Sequence, residues 1–159
     1  MRRFGPLCGL FMLLTMFGLT QALAGGEART LSEELLTHLT KGFDELSLNR
    51  LASAQEEFAK VIRVDFDNPF ANNNLAVIME KQGKMADALA YLKVAETFAG
   101  AYHYKVETLY LIGGVLAALK PEKAAENQTQ VAKIISDNKR KLIEKMGLAQ
   151  EDLAPLPDK

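Results

Sequence analysis

Apolar residues return every three or four positions through the middle of this chain, the spacing of one buried face on an α-helix. Leu36, Leu39, Phe43 and Leu46 form one stripe, Ala54, Phe58, Val61 and Ile62 a second, and Met85, Ala88, Leu92 and Ala95 a later one. Punctuation residues separate them. Thr30 and Glu33 make a capping-box pattern that starts the first helix. Asn68 offers an N-cap and Pro69 a first-turn proline, which predicts a helix from there to about Gln82, with Gly83 as the left-handed residue that ends it. The partner helix is expected over about 85–97. Further on, 106–119 (VETLYLIGGVLAAL) is apolar nearly all round, which predicts a helix packed on several sides, with Gly113-Gly114 and Ala117-Ala118 permitting close approach. Pro121 then opens its partner. After Asp137-Asn138, 139–146 reads as a short helix with Leu142, Ile143 and Met146 apolar and Gly147 as its stop.

The stripes repeat. Ala54, Phe58 and Val61 recur 34 residues later as Ala88, Leu92 and Ala95, Gly42 recurs as Ala76, Asn49 as Gly83, and Leu51 as Met85. A third copy follows at a spacing of 37, where Ile112-Gly113 answers Leu75-Ala76, Leu116 answers Met79, Ala125 answers Ala88 and Ala132 answers Ala95. Two-helix units at this period are the mark of a helical repeat array.

These positions resemble the tetratricopeptide repeat family. The second copy carries the clearest match, with Leu75-Ala76 where the motif has Leu-Gly, Met79 in place of its aromatic, and Gly83, Ala88, Leu92 and Ala95 on the remaining signature positions. The resemblance implies an all-α fold, a right-handed α-solenoid of about three helix-turn-helix repeats (about 31–68, 69–102 and 106–136) with a C-terminal capping helix at 138–147 and a flexible tail at 149–159. Departures stand at Asn72, where the motif has a bulky aromatic, at Thr129, and in the first helix, where Lys41 and Glu45 occupy places the motif buries. Either that helix has a turn three residues longer before Arg50, or its apolar face is turned into the groove.

Residues 1–24 read as a secretory signal: Met1-Arg2-Arg3 is basic, Leu7 to Leu19 is mostly apolar, and Ala22-Leu23-Ala24 is a small-x-small cleavage site. The apolar run falls short of the roughly 17–25 residues that span a bilayer, so cleavage after Ala24 is expected, with an uncleaved anchor as the alternative. The expected mature domain is 25–148, periplasmic or secreted. Cleavage removes Arg2 and Arg3, which leaves 17 basic residues against 20 acidic ones over 25–159, and it also removes Cys8, the single cysteine.

Composition narrows the chemistry. The 159 residues carry 19 Lys plus Arg against 20 Asp plus Glu, so no basic excess is present to bind nucleic acid through phosphates. One Cys, two His and no Trp leave little for a disulfide framework or a His/Cys metal site. His38 and His103 fit no metal spacing, and no metal or cofactor is expected. Glu33-Glu34 and Glu56-Glu57 are adjacent on helices, so their side chains diverge and read as solvated faces. Asp65-Phe66-Asp67 lacks the glycine and distal glutamate of a calcium loop and reads as a turn. Asn127-Gln128-Thr129 is a glycosylation pattern inside an expected helix. No nucleophile–base pair or phosphate-binding glycine loop is evident, so an enzyme is not expected.

Function is then sought in the groove. In the tetratricopeptide family the first helix of each pair lines the concave face, which by resemblance presents Leu39 and Phe43 from the first repeat, Phe70, Asn73, Asn74, Val77, Glu80 and Lys81 from the second, and Tyr110 and Gly114 from the third. Asn73 and Asn74 suit a peptide backbone, because an amide both donates and accepts. Leu39, Phe43, Phe70 and Tyr110 are the expected exposed anchors. The paired Lys and Asn pattern of carboxylate-clamping family members is not met in the first repeat. The expected activity is that of an exported adaptor holding a segment of a protein partner. The alternative is an assembly factor of a bacterial envelope machine, acting through self-association or its convex face. Membrane contact is expected only through an uncleaved signal or the basic helix bearing Lys139, Arg140, Lys141 and Lys145.

Overall fold

The computed structural model describes residues 28–125 and 130–148. The expected signal at 1–24, the tail at 149–159 and the Asn127-Gln128-Thr129 pattern lie outside the described residues. The elements are α1 (Glu33–Ser47), α2 (Leu51–Val64), α3 (Pro69–Lys81), α4 (Met85–Phe98), a 3-10 turn at Ala99–Ala101, β1 (Tyr104–Tyr110), β2 (Ala117–Ala124) and α5 (Gln130–Met146). The described chain is mostly helical, as its stripes predict, with one small two-stranded sheet added to the helices.

Local chemistry explains the first four helices. Ser32, two residues past Thr30, caps α1 by accepting from the Leu35 N–H. Asn68 caps α3 through the N–H groups of Phe70 and Ala71, each at 3.1 Å, with Pro69 in the first turn. Asn49 and Gly83, 34 residues apart, both take left-handed backbone, with φ of 55° and 76°. The turns they occupy, 48–50 and 82–84, have equal length. The longer turn considered for the first helix is therefore absent, and its apolar face instead points inward, with Leu39 and Phe43 buried. Gly42 sets how closely α1 and α2 approach: a Cβ there would lie 2.6 Å from the Phe58 ring. Asn72, where the resemblance expects an aromatic, donates through its amide to the carbonyls of Phe66 (2.9 Å) and Asn68 (2.8 Å), fastening the turn ahead of α3.

The third helical pair is not formed. Residues 106–119 build most of an antiparallel hairpin in which Thr108 faces Leu119 and Tyr110 faces Ala117. Its turn uses Gly113 at φ 78°. An unbroken apolar run fits a buried helix or a pair of strands equally well by periodicity, and here Val106, Thr108, Tyr110, Ile112 and Val115, branched at Cβ or aromatic, favour strands. Pro121 opens no helix. It sits in β2 opposite Val106, where the register slips, so its missing N–H falls at a break in the ladder. α5 then runs unbroken through Asp137 and Asn138, fusing the expected last repeat helix and capping helix into one, and Gly147 at φ 67° follows it.

β2 lies across α1 and α3, while α5 packs on α4 and touches both strands. The core runs continuously from Leu39 and Phe70 through Leu116 and Leu119 to Leu142.

Candidate interaction surface

The concave face that the sequence offers as a partner site is occupied by the chain itself. Leu39, Phe43, Phe70, Asn73, Asn74, Val77 and Glu80 are all buried, because β2 and α5 cover them. Of the four expected apolar anchors, Tyr110 alone is exposed. Lys81, Tyr110 and Gly114 gather at the turn end of the hairpin, and Lys81 there donates to the Ile112 carbonyl. The structure thus gathers Leu39, Phe43, Phe70, Asn73, Asn74, Val77 and Glu80 beneath β2 and α5, and leaves Lys81, Tyr110 and Gly114 at the open turn end of the hairpin.

The polar members do to β2 what the sequence expects them to do to a partner peptide. Alternate residues of a strand turn their N–H and C=O to the same side. On β2, Ala117 and Leu119 turn theirs to the helices. Asn74 accepts from the Leu119 N–H at 2.7 Å and donates to the Leu119 carbonyl at 2.8 Å. Asn73 donates to the Ala117 carbonyl at 2.9 Å, and Asn138 of α5 accepts from the Ala117 N–H at 2.9 Å. Asn138 also donates to Asn73, closing the network at 2.8 Å. Where the strand begins, the Glu80 carboxylate accepts from the N–H groups of Val115 and Leu116 and from Lys145 at 2.6 Å. Among the described residues, no buried side-chain polar atom lacks a partner. Asn138 is the member that sequence reading missed, since Asp137-Asn138 looks like a break between helices.

Two further polar clusters serve the scaffold. Arg29, ahead of α1, reaches Asp65 at 2.7 Å and Asp67 at 2.8 Å, while its N–H donates to the Ala101 carbonyl. Asp65 also accepts from Asn68 and from the Tyr102 hydroxyl, and the Arg29 guanidinium lies 5.0 Å over the Tyr102 ring. Burial and the bond to Asp65 push the Tyr102 hydroxyl well above its usual range. The acidic turn at 65–67 is therefore a clip that ties the segment before α1 to the α4–β1 connection.

His38 belongs to the second cluster, with Nδ1 2.7 Å from the buried Glu57 carboxylate, which also takes Lys60 at 2.8 Å and Lys41 at 3.0 Å. Burial pushes the Glu57 carboxyl up, but the bonds from Lys60, His38 and Lys41 outweigh it and hold the group down at about 2, against an ordinary 4.5. Because the folded value lies below the unfolded one, this stabilisation is complete above pH 4.5 and is lost as pH falls towards 2. Glu57→Gln is expected to flatten the fall in unfolding free energy across that window, measured by urea denaturation at stepped pH. An unchanged slope would show that Glu57 carries none of it.

The open apolar feature lies on the other side of the helical pairs. A groove of about 550 Å³ runs between α2 and α4, walled by Met79, Ala90, Tyr91, Val94 and Phe98, with Phe66 at its edge. Phe66 is 74% exposed in an otherwise polar turn, the one sequence signal that could have found this surface. Gln55, Lys84 and Asp87 supply a polar rim. The basic residues of α5 are mostly spent internally: Lys139 pairs with Glu96, Arg140 with Asp137 and Glu144, and Lys145 with Glu80. Among the described residues no helix is long and apolar enough to cross a membrane, and no three His, Cys, Asp or Glu side chains are placed to share a metal ion. Comparison with protein-family models, curated proteins and solved structures gave no match to the chain, so what this surface does is inferred from its geometry.

Proposed function

We propose that this chain is an exported protein-binding adaptor of tetratricopeptide-like architecture, a solenoid segment of two helical pairs closed by its own hairpin. It takes apolar side chains of a protein partner in the groove between α2 and α4. The observation that carries this reading is that groove, an apolar hollow with exposed Phe66 and half-buried Tyr91, Val94 and Phe98, on a scaffold whose inner face is already filled. The shared left-handed position at Asn49 and Gly83 supports the repeat architecture. A periplasmic or secreted location rests on the signal pattern at 1–24. The reading assigns the chain no catalytic step, metal or cofactor.

A photoreactive residue at Tyr91, with a second at Thr37 on the solvent side of α1 as control, tests it in intact cells. The expected result is one heterologous adduct at Tyr91, absent at Thr37, whose yield falls on the order of tenfold when Phe98→Ala removes an apolar anchor. Adducts of the chain with itself would replace this reading with the self-associating assembly factor. Equal yields at both positions would rule the groove out.

A further inference from the structure

The hairpin turn carries an apolar tip with positive charge around it. Ile112 is 95% exposed and Tyr110 54% exposed, and both line a hollow shared with Ser47 and Asn49, which flank the 58% exposed Leu48. Lys81 donates to the Ile112 carbonyl at 2.6 Å, and Lys141 lies 5.2 Å over the Tyr110 ring. Neither lysine pairs with a carboxylate among the described residues. The acids nearby are committed elsewhere, Glu80 to Lys145 and the hairpin backbone, and Glu144 to Arg140.

We propose that this tip docks on an anionic phospholipid surface. Ile112 is itself a central residue of the turn, which the Gly114 N–H closes by donating to the Leu111 carbonyl, and its almost fully exposed side chain suits a fluid apolar medium. Tyr110 beside it brings an exposed ring to the headgroup level, with its hydroxyl 3.5 Å from the Lys141 ammonium. Lysines on long apolar stems meet lipid phosphates from the same depth. The site is separate from the groove between α2 and α4, so either reading can fail alone.

The chain contains no Trp, so Ile112→Trp gives the full-length protein a single fluorescent reporter at the tip. Phe66→Trp gives another exposed one just beyond the far end of α3, a helix of 13 residues and about 20 Å. Because the readout is local, the apolar stretch at 7–19 cannot imitate it. Each variant is titrated with vesicles of phosphatidylcholine alone and of phosphatidylcholine with phosphatidylglycerol. Ile112→Trp is expected to shift its emission to the blue with the anionic vesicles only, and raised salt is expected to reverse the shift. Adding Lys81→Gln and Lys141→Gln is expected to weaken partitioning on the order of 30-fold. Equal shifts on both vesicles, or an equal shift from Phe66→Trp, would overturn the proposal. No shift at the tip on either vesicle would overturn it too and leave the tip to a protein partner.

Discussion

Asn74→Leu is expected to lower the free energy of unfolding by about 4 kcal/mol, because leucine fills the same space and satisfies neither backbone group of Leu119. Both groups are buried against α3 and have the Asn74 amide as their partner on that side. Each orphaned group costs roughly 1–3 kcal/mol, and water has no path to Leu119, which is fully buried. The loss should appear in urea denaturation followed by circular dichroism, with hydrogen exchange at the Leu119 amide rising towards the rate set by global unfolding. Asn72→Leu is the matched control, since the Asn72 amide donates to the carbonyls of Phe66 and Asn68 and makes no hydrogen bond to either strand. A loss below about 1 kcal/mol at Asn74 would mean that its two bonds to Leu119 add little to the hold that β1, Asn73 and Asn138 already have on β2.

Glu80→Ala is expected to cost about 3 kcal/mol and to do so unevenly along the hairpin. The carboxylate is the acceptor for Val115 and Leu116, and bonds to a charged acceptor are the stronger kind. Lys145 is 31% exposed on its side chain and can turn to water, which keeps the cost below that of stranding a buried pair. Hydrogen exchange should therefore quicken at Val115 and Leu116 before it changes at Leu119. Glu80→Gln retains one acceptor oxygen and should recover part of the loss. Equal protection throughout the hairpin in Glu80→Ala would show that the turn end is fixed by something other than this carboxylate.

The four leading helices were legible because their signals agree at several levels. Stripe period, the Asn68-Pro69 start and the Gly83 stop point to the same boundaries for α3 and α4, and the 34-residue recurrence carries the pattern back to α1 and α2. The hairpin was not legible because Glu107 and Thr108, adjacent near the start of 106–119, are too few polar positions to tell a period of two from one near 3.6. Small apolar residues such as Ala125 and Ala132 are common enough to fall in register with an earlier repeat by coincidence, and Gly113-Gly114 serves a turn as readily as a helix crossing. The site was half legible. Side-chain amides suited to a peptide backbone are readable at Asn73 and Asn74, whereas the identity of that backbone, 45 residues further along the same chain, depends on tertiary placement that no local pattern encodes. Phe66, Tyr91 and Phe98 went unread because isolated apolar residues on helix and turn surfaces are ordinary until they are seen to share one hollow.

The asparagine-lined face also bears on the order in which the molecule comes together. Each helical pair closes over contacts between near neighbours, but the bonds from Asn74 to Leu119 and from Asn138 to Asn73 span 45 and 65 residues. Such distant closures come at a greater entropic cost and form later. Until β2 arrives, Asn73, Asn74 and Glu80 stand facing water, which satisfies every one of their hydrogen bonds. Leucines at those positions would present a newly emerged chain with a wider adhesive strip over the same interval.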